Sequence, residues 1–390
     1  MKRTFRYILQ FVTVFLGVLI ILAALAVWRL STQPISSSFL TPYIEKSIDR
    51  YIPGTRTTIT SSMLTWNNIE LSVALNAVGI KVVDEKGAII AEVPKLDVQL
   101  NVFGLAVGQF LPEVLVVDSP QIKLEHNSNG EIKFGHMTSQ SNEGASETKG
   151  DLKDTVADIA NNLAHAFITH KLIISNAEFD VHDSSTQKSW KVHIPEISLE
   201  RINDIMSGKA KVELTQKDKV STVDVLYTYD PQKDMHVIET ELNDITPSLF
   251  AGGHPSTVGL GMASIFDLPL TGKLIIAFDT DLNVQAGGMD MQGGVGRINH
   301  PDFWDIPRDV KSLKFKAQYG EPKGHLDITV AEADFGQATF SLTGAGTPPI
   351  FPDRDLDFVL NVKIENWAMD EYTRLWPKPI IPNARSWIAD

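Results

Sequence analysis

The side chains best suited to chemistry in this sequence fall into four small groups. Asp180, His182 and Asp183 combine two carboxylates with an imidazole, a donor set that suits a divalent metal. No further His or carboxylate pair stands nearby at ligand spacing, so a polar strand face running into a turn accounts for them better. Ser185-Thr186-Gln187-Lys188 has the spacing of a serine nucleophile activated by lysine, as in penicillin-recognising enzymes. That chemistry needs the serine at a helix start and two companion motifs. Here the serine lies in a turn between alternating segments, and the companions are missing. Gly293-Gly294-Val295-Gly296 lacks both a strand–helix setting and a phosphate-binding lysine, so it reads as a turn. Asp353, Asp355 and Asp357 repeat with period two and share one strand face, which suits a cation edge or, more simply, a solvated surface. His126, His165, His170 and His193 are scattered, and nothing forms a nucleophile–base–acid set. The reading is therefore no enzyme, no metal and no cofactor.

The elements that carry these residues are strands. Leu96, Val98, Leu100 and Val102 alternate with Lys95, Asp97, Gln99 and Asn101, giving one apolar and one polar face. The same alternation recurs through Ala177/Phe179/Val181, Val223/Val225/Tyr227/Tyr229, Leu313/Phe315/Ala317/Tyr319 and Leu356/Phe358/Leu360/Val362/Ile364. Strand signals at such short intervals predict a mainly β, antiparallel architecture. Val78, Ile80 and Val82 continue from Val73 and Leu75 after a one-residue change of phase, the mark of a bulge or turn.

The chain has 390 residues, a mean hydropathy near zero and a formal net charge of −13. A core is affordable, and an acidic surface without Lys/Arg clusters argues against nucleic acid as a partner. The chain has no cysteine, which fits an oxidising compartment. Ile8 to Trp28 is almost wholly apolar. As a helix it would be about 30 Å long, enough to cross a bilayer. Lys2, Arg3 and Arg6 precede it, placing the N-terminus in the cytoplasm and the bulk outside. A cleaved signal peptide ending near Ala24-Leu25-Ala26 is the competing reading.

The expected organisation is a cytoplasmic tip and transmembrane anchor at 1–30, then a linker and amphipathic helix at 31–56. The helix either covers a sheet end or lies on the membrane surface. A first β-meander follows at 57–137, then a flexible loop and a second amphipathic helix at 138–170. A second, longer β region occupies 171–365, and a helical segment that the chain end cuts short occupies 366–390.

Four stretches together resemble the AsmA-like superfamily of envelope proteins, in its YhdP-like branch, as the N-terminal portion of a larger protein. They are the anchor, helix and meander; Val93-Pro94-Lys95-Leu96-Asp97-Val98 leading to Ser119-Pro120-Gln121-Ile122-Lys123-Leu124; Phe266-Asp267-Leu268-Pro269-Leu270-Thr271-Gly272-Lys273-Leu274; and Leu375-Trp376-Pro377 with Ala384-Arg385-Ser386-Trp387-Ile388. The resemblance implies an elongated, curled antiparallel β-groove, anchored in the bacterial inner membrane with its bulk in the periplasm. It implies a role in conducting phospholipid towards the outer membrane, with an outer-membrane or periplasmic protein as a further partner. The apolar track would then include Leu96, Val98, Leu100, Val102, Phe179, Phe315, Phe358 and Leu360. From the residues alone, a second sheet covers that face as readily as a lipid does. A membrane-tethered scaffold or assembly factor with a closed β-domain is thus the alternative.

Overall fold

The computed structural model describes residues 31–39, 41–51, 55–67, 72–84, 87–102, 104, 112–126, 132–134, 170–183, 188–216, 219–249, 263–281, 283–320, 324–347, 357–367 and 378, with 18, 21, 25, 28 and 29. The chain is mainly β, as its alternation predicts. It divides into two compact units, residues 1–120 with 168–174, and residues 121–167 with 175–390. Most of the predicted Ile8–Trp28 span lies outside the described residues. Val18, Ile21, Leu25 and Trp28, which are described, are helical and exposed. Among the described residues no helix is long and apolar enough to cross a membrane. The helix expected within 151–169, the loop at 138–150, the helical pattern after Trp367 and the Asp353/Asp355 pair also lie outside them.

The first unit holds β1 (Ile35–Ser36), α1 (Thr41–Tyr51), β2 (Thr55–Asn67), β3 (Ser72–Asp84), β4 (Ile89–Leu100) and β5 (Pro112–Asp118). The strands pair antiparallel in that order. Residue 170 continues the ladder, its amide donating to the Glu113 carbonyl at 2.9 Å. Pro42 sits in the first turn of α1, where its missing N–H costs no helical hydrogen bond. Ile44 packs on the buried cluster Ile59, Ala77 and Ile80, together with Val93 and Leu96. Glu45 and Asp49 lie one turn apart, so both face the free edge of β2. They accept hydrogen bonds from Ile59 N at 2.8 Å and Thr57 N at 2.7 Å. Of the two roles open to this helix, the structure has it covering the sheet.

A line of irregular backbone crosses this sheet. Thr60 lies opposite Gly79, and Gly79 opposite Pro94, by the registers on either side. Gly79 has φ of 67°, and the Thr60 hydroxyl donates to its carbonyl at 3.2 Å. Leu75 and Ala77 are buried before this point, Ile80 and Val82 after it, and Val78 is exposed. The change of phase expected near Val78 is thus centred on Gly79, and Pro94 places a residue without an N–H beside it.

The second unit begins with β6 (Gln121–His126) and β7 (Ile132–Phe134), and β8 (Lys171–Asp183) passes from the first unit into the second at Ser175. β6 runs parallel to β8, Gln121 facing Glu178 and His126 facing Asp183. The sheet is therefore mixed, which corrects the expectation of a purely antiparallel one. A hairpin cannot join parallel neighbours, so the chain between them needs a long crossover. Then come β9 (Lys188–Ile202), β10 (Ile205–Gln216), β11 (Lys219–Asp230), β12 (Met235–Ile245), β13 (Phe266–Asp267), β14 (Leu270–Phe278), β15 (Val284–Gly293), β16 (Gly296–Ile298), β17 (Arg308–Val310), β18 (Ser312–Gly320), β19 (His325–Asp334), β20 (Thr339–Thr347) and β21 (Asp357–Glu365). From β9 to β21 the large sheet is an antiparallel meander, while β13, β16 and β17 form a small separate sheet.

Candidate functional site

The polar groups singled out in the sequence resolve into surface contacts. Asp180 pairs with Lys191 at 3.6 Å, and His182 Nδ1 lies 2.9 Å from Ser189 Oγ, both across neighbouring strands. Among the described residues, no three His, Cys, Asp or Glu side chains come together as metal ligands would. Ser185 lies outside the described residues. The Gly293–Gly296 run is a turn, and its glycines serve packing. A Cβ at Gly293 would overlap Leu268 and Leu313, and one at Gly296 would overlap the Asp267 carbonyl.

The feature with a surface suited to an apolar ligand is one face of the large sheet in the second unit. Directly opposed residues of neighbouring strands point to the same side. One row across the sheet is therefore Ala210, Val225, Thr240, Leu274, Met289, Ala317, Ile328, Gly344 and Leu360. The next is Val212, Val223, Leu242, Gly272, Met291, Phe315, Ala331, Leu342 and Val362. At the spacing of β-strands these rows are about 40 Å long. The opposite face carries the cross-strand ion pairs Lys209–Glu196 at 2.9 Å, Lys273–Glu241 at 3.5 Å, Lys316–Asp290 at 2.9 Å and Lys314–Glu332 at 3.6 Å. Such exposed pairs add little stability, but they mark which side faces water.

Most apolar residues of the two rows are half-buried, their flanks covered by neighbours in the same sheet. Leu360 and Val362 are 49% and 52% exposed. A second sheet packed across the rows would bury them fully, as in a sandwich core. Protein covers one end of the face. There Leu268, Leu270 and Met291 are buried, with Leu242, Phe266, Ile298, Leu313 and Phe315 packed against them. Phe266 and Ile298 belong to the small sheet, which closes that end.

The other end of the strands is lined by rings. His236 is 2% exposed and stacks between Tyr229, at 4.1 Å between centroids, and Phe278, at 5.1 Å. The Tyr227 hydroxyl lies 2.9 Å from His236 Nδ1. Burial, then the charge of Tyr229, pushes the Tyr227 phenol up to about 12. Burial pulls the His236 imidazole below its ordinary value, although Asp234 and Asp279 act the other way. Beyond the rings lie the β11–β12 and β14–β15 turns.

The proposed track residues fall in both units. Leu96, Val98 and Leu100 share one face of β4; Leu96 packs against the buried Ile59, Ala77 and Ile80, and Leu100 is 1% exposed, sealed by protein. Val102 lies just past β4 and is half-buried. Phe179, on β8, is half-buried and faces Ile122. Phe315, Phe358 and Leu360 share the apolar face of the second unit, with Phe315 turned towards the covered end. Sequence reasoning missed His236. It follows a turn, and its ring partners lie on other strands, so only the registers that place it beside Tyr229 and Phe278 reveal it. Compared with known proteins, the chain matches no family model and no curated protein.

Proposed function

We propose that this protein is a bacterial inner-membrane-anchored, periplasmic β-groove protein that binds phospholipid along the apolar face of its second unit. It would pass phospholipid between the inner and outer membranes, as the AsmA-like resemblance implies. One observation carries the reading: two largely apolar rows, broken only by Thr240 and partly covered at Leu242, Met291 and Phe315, whose other apolar side chains are mostly half-buried or, at Leu360 and Val362, about half exposed. Exposed apolar surface of this extent marks an interaction site in most soluble domains. An acyl chain laid along it would gain roughly 25 cal/mol for each Å² of apolar surface removed from water. Because such contacts are non-directional, a lipid so bound can also slide. The anchoring and orientation rest on the apolar Ile8–Trp28 stretch and the basic residues before it.

The test is to purify the full chain in a mild detergent and identify co-purifying lipid by mass spectrometry, then to measure uptake of a fluorescent phospholipid. Bound phospholipid and saturable uptake are expected. Protein that is folded, lipid-free and unable to take up the probe would overturn the reading and leave the tethered scaffold in its place.

A further inference from the structure

We infer that one acyl chain of the bound phospholipid lies in a slot over Gly287, an inference that rests on the groove reading above. Gly287 is on β15, opposite Ile276 of β14 on one side and Tyr319 of β18 on the other. All three point to the apolar face, one row beyond Leu274, Met289 and Ala317. The other glycines of this face are accounted for by the chain itself. A Cβ at Gly208 would stand 2.9 Å from Leu199 Cδ1, one at Gly344 3.0 Å from the Phe358 ring, and one at Gly293 would overlap Leu268. Gly272 and Gly346 have φ of 155° and 132°, with backbone carbonyls where a Cβ would go. Gly287 has neither reason. Its φ lies outside the left-handed region. Among the described residues, a Cβ there would come near only the Ile275 carbonyl, at 3.3 Å, short of a clash.

An unfilled place on this face works against stability. Glycine weakens a strand interior, and it forgoes the cover that a larger side chain would give to Ile276, Tyr319 and Met289, the last 36% exposed. Gly288, next on the strand, also has open space above it. It points to the face that carries the ion pairs, where water fills such a space. On the apolar face water is a poor filler, and a strand glycine uncovered by its own chain suits close approach of a ligand. The slot is one side chain wide, with apolar walls, and so fits an unbranched hydrocarbon. The row that Gly287 interrupts runs through Ile238, Ile276, Tyr319 and Leu326, which offer no positive charge to a phosphate. The tail of the lipid, not its headgroup, therefore rests against β15.

The test photolyses the native full chain, in a mild detergent, with a phosphatidylcholine that carries a diazirine midway along one acyl chain. Label should appear on Ile276, Met289 or Tyr319. The same lipid with the diazirine on its headgroup should leave all three unlabelled. Gly287→Leu fills the slot and should weaken uptake of the acyl-labelled lipid about tenfold, the effect of losing roughly 50 Å² of apolar contact. Gly288→Leu makes the same change on the other face and should bind as the native chain does. Circular dichroism and thermal melts establish that both variants fold; should Gly287→Leu not fold, labelling of the native chain decides. Acyl label confined to other parts of the chain, headgroup label on these residues, or equal binding by the two variants each overturns the slot while leaving the groove reading in place. A native chain that takes up no phospholipid overturns the groove reading and the slot with it.

Discussion

The Tyr227 hydroxyl stands 2.9 Å from Nδ1 of His236, and this pair sits where the apolar face meets the turns of the second unit. With its phenol pushed up to about 12, Tyr227 keeps its proton through the neutral range and can donate it to a neutral imidazole. The stacked rings of Tyr229 and Phe278 leave little room to hydrate an imidazolium.

Acid should therefore weaken the second unit. The folded His236 binds a proton less readily than the unfolded one. As pH falls through the unfolded value of about 6.5, the unfolded chain gains protons first, and stability is lost in that window. Above it the contribution is complete. Thermal melts at pH 7.5 and 5 should show a loss in the native protein that His236→Phe reduces, and an equal loss in both would refute the assignment. Tyr227→Phe should cost about 1–2 kcal/mol at neutral pH by leaving the buried Nδ1 unpartnered.

Gly79 supplies a second test. Its φ of 67° strains any residue with a Cβ, and that Cβ would stand 2.5 Å from Thr60 Oγ1. Gly79→Ala should destabilise the chain by about 2 kcal/mol in urea unfolding. Gly87 provides the control, with φ of 83° but open space around it. Gly87→Ala should cost about 1 kcal/mol, strain alone. Equal effects would show that Thr60 yields freely and that the backbone line is not tightly packed.

The strand faces were legible because period-two alternation survives wherever one side of a sheet meets water. The runs through Phe315 and Leu360 behave in this way, and their registers join them into one face. β2 was hidden for the opposite reason. Its Thr-Arg-Thr-Thr-Ile-Thr start buries Thr57 and Ile59, so a polar residue fills a core position and the alternation disappears. The β6–β8 pairing could not be read, because parallel partners lie far apart in sequence and no turn signal joins them. Nor could the covering of Phe315, which depends on strands as short as Phe266–Asp267 folding back over the sheet.

Glu45 and Asp49 should matter more than surface carboxylates usually do. Each accepts from an amide on the edge of β2, at positions where Thr57 and Ile59 are buried. Glu45→Ala or Asp49→Ala should cost about 1–2 kcal/mol, the penalty for a buried N–H left without a partner. Hydrogen exchange should accelerate at Ile59 in the first variant and at Thr57 in the second. Unchanged exchange would show that water replaces the carboxylates without loss.

Leu274 and Ile275 are adjacent on β14 and point to opposite faces, which isolates the face as the variable. Leu274 lies in the first apolar row, opposite Thr240 and Met289. Ile275, 42% exposed, lies on the side that carries the ion pairs. If lipid is the guest on the apolar face, Leu274→Asp should leave a folded protein that no longer retains phospholipid, because its side chain reaches water in the lipid-free state. Ile275→Asp should fold and retain it. If protein covers the face, Leu274→Asp instead buries an unpaired carboxylate and costs several kcal/mol, so the second unit unfolds. Paired measurements of melting temperature and bound phospholipid separate the outcomes. A folded Leu274→Asp protein that holds as much lipid as the native chain would remove this face from the path.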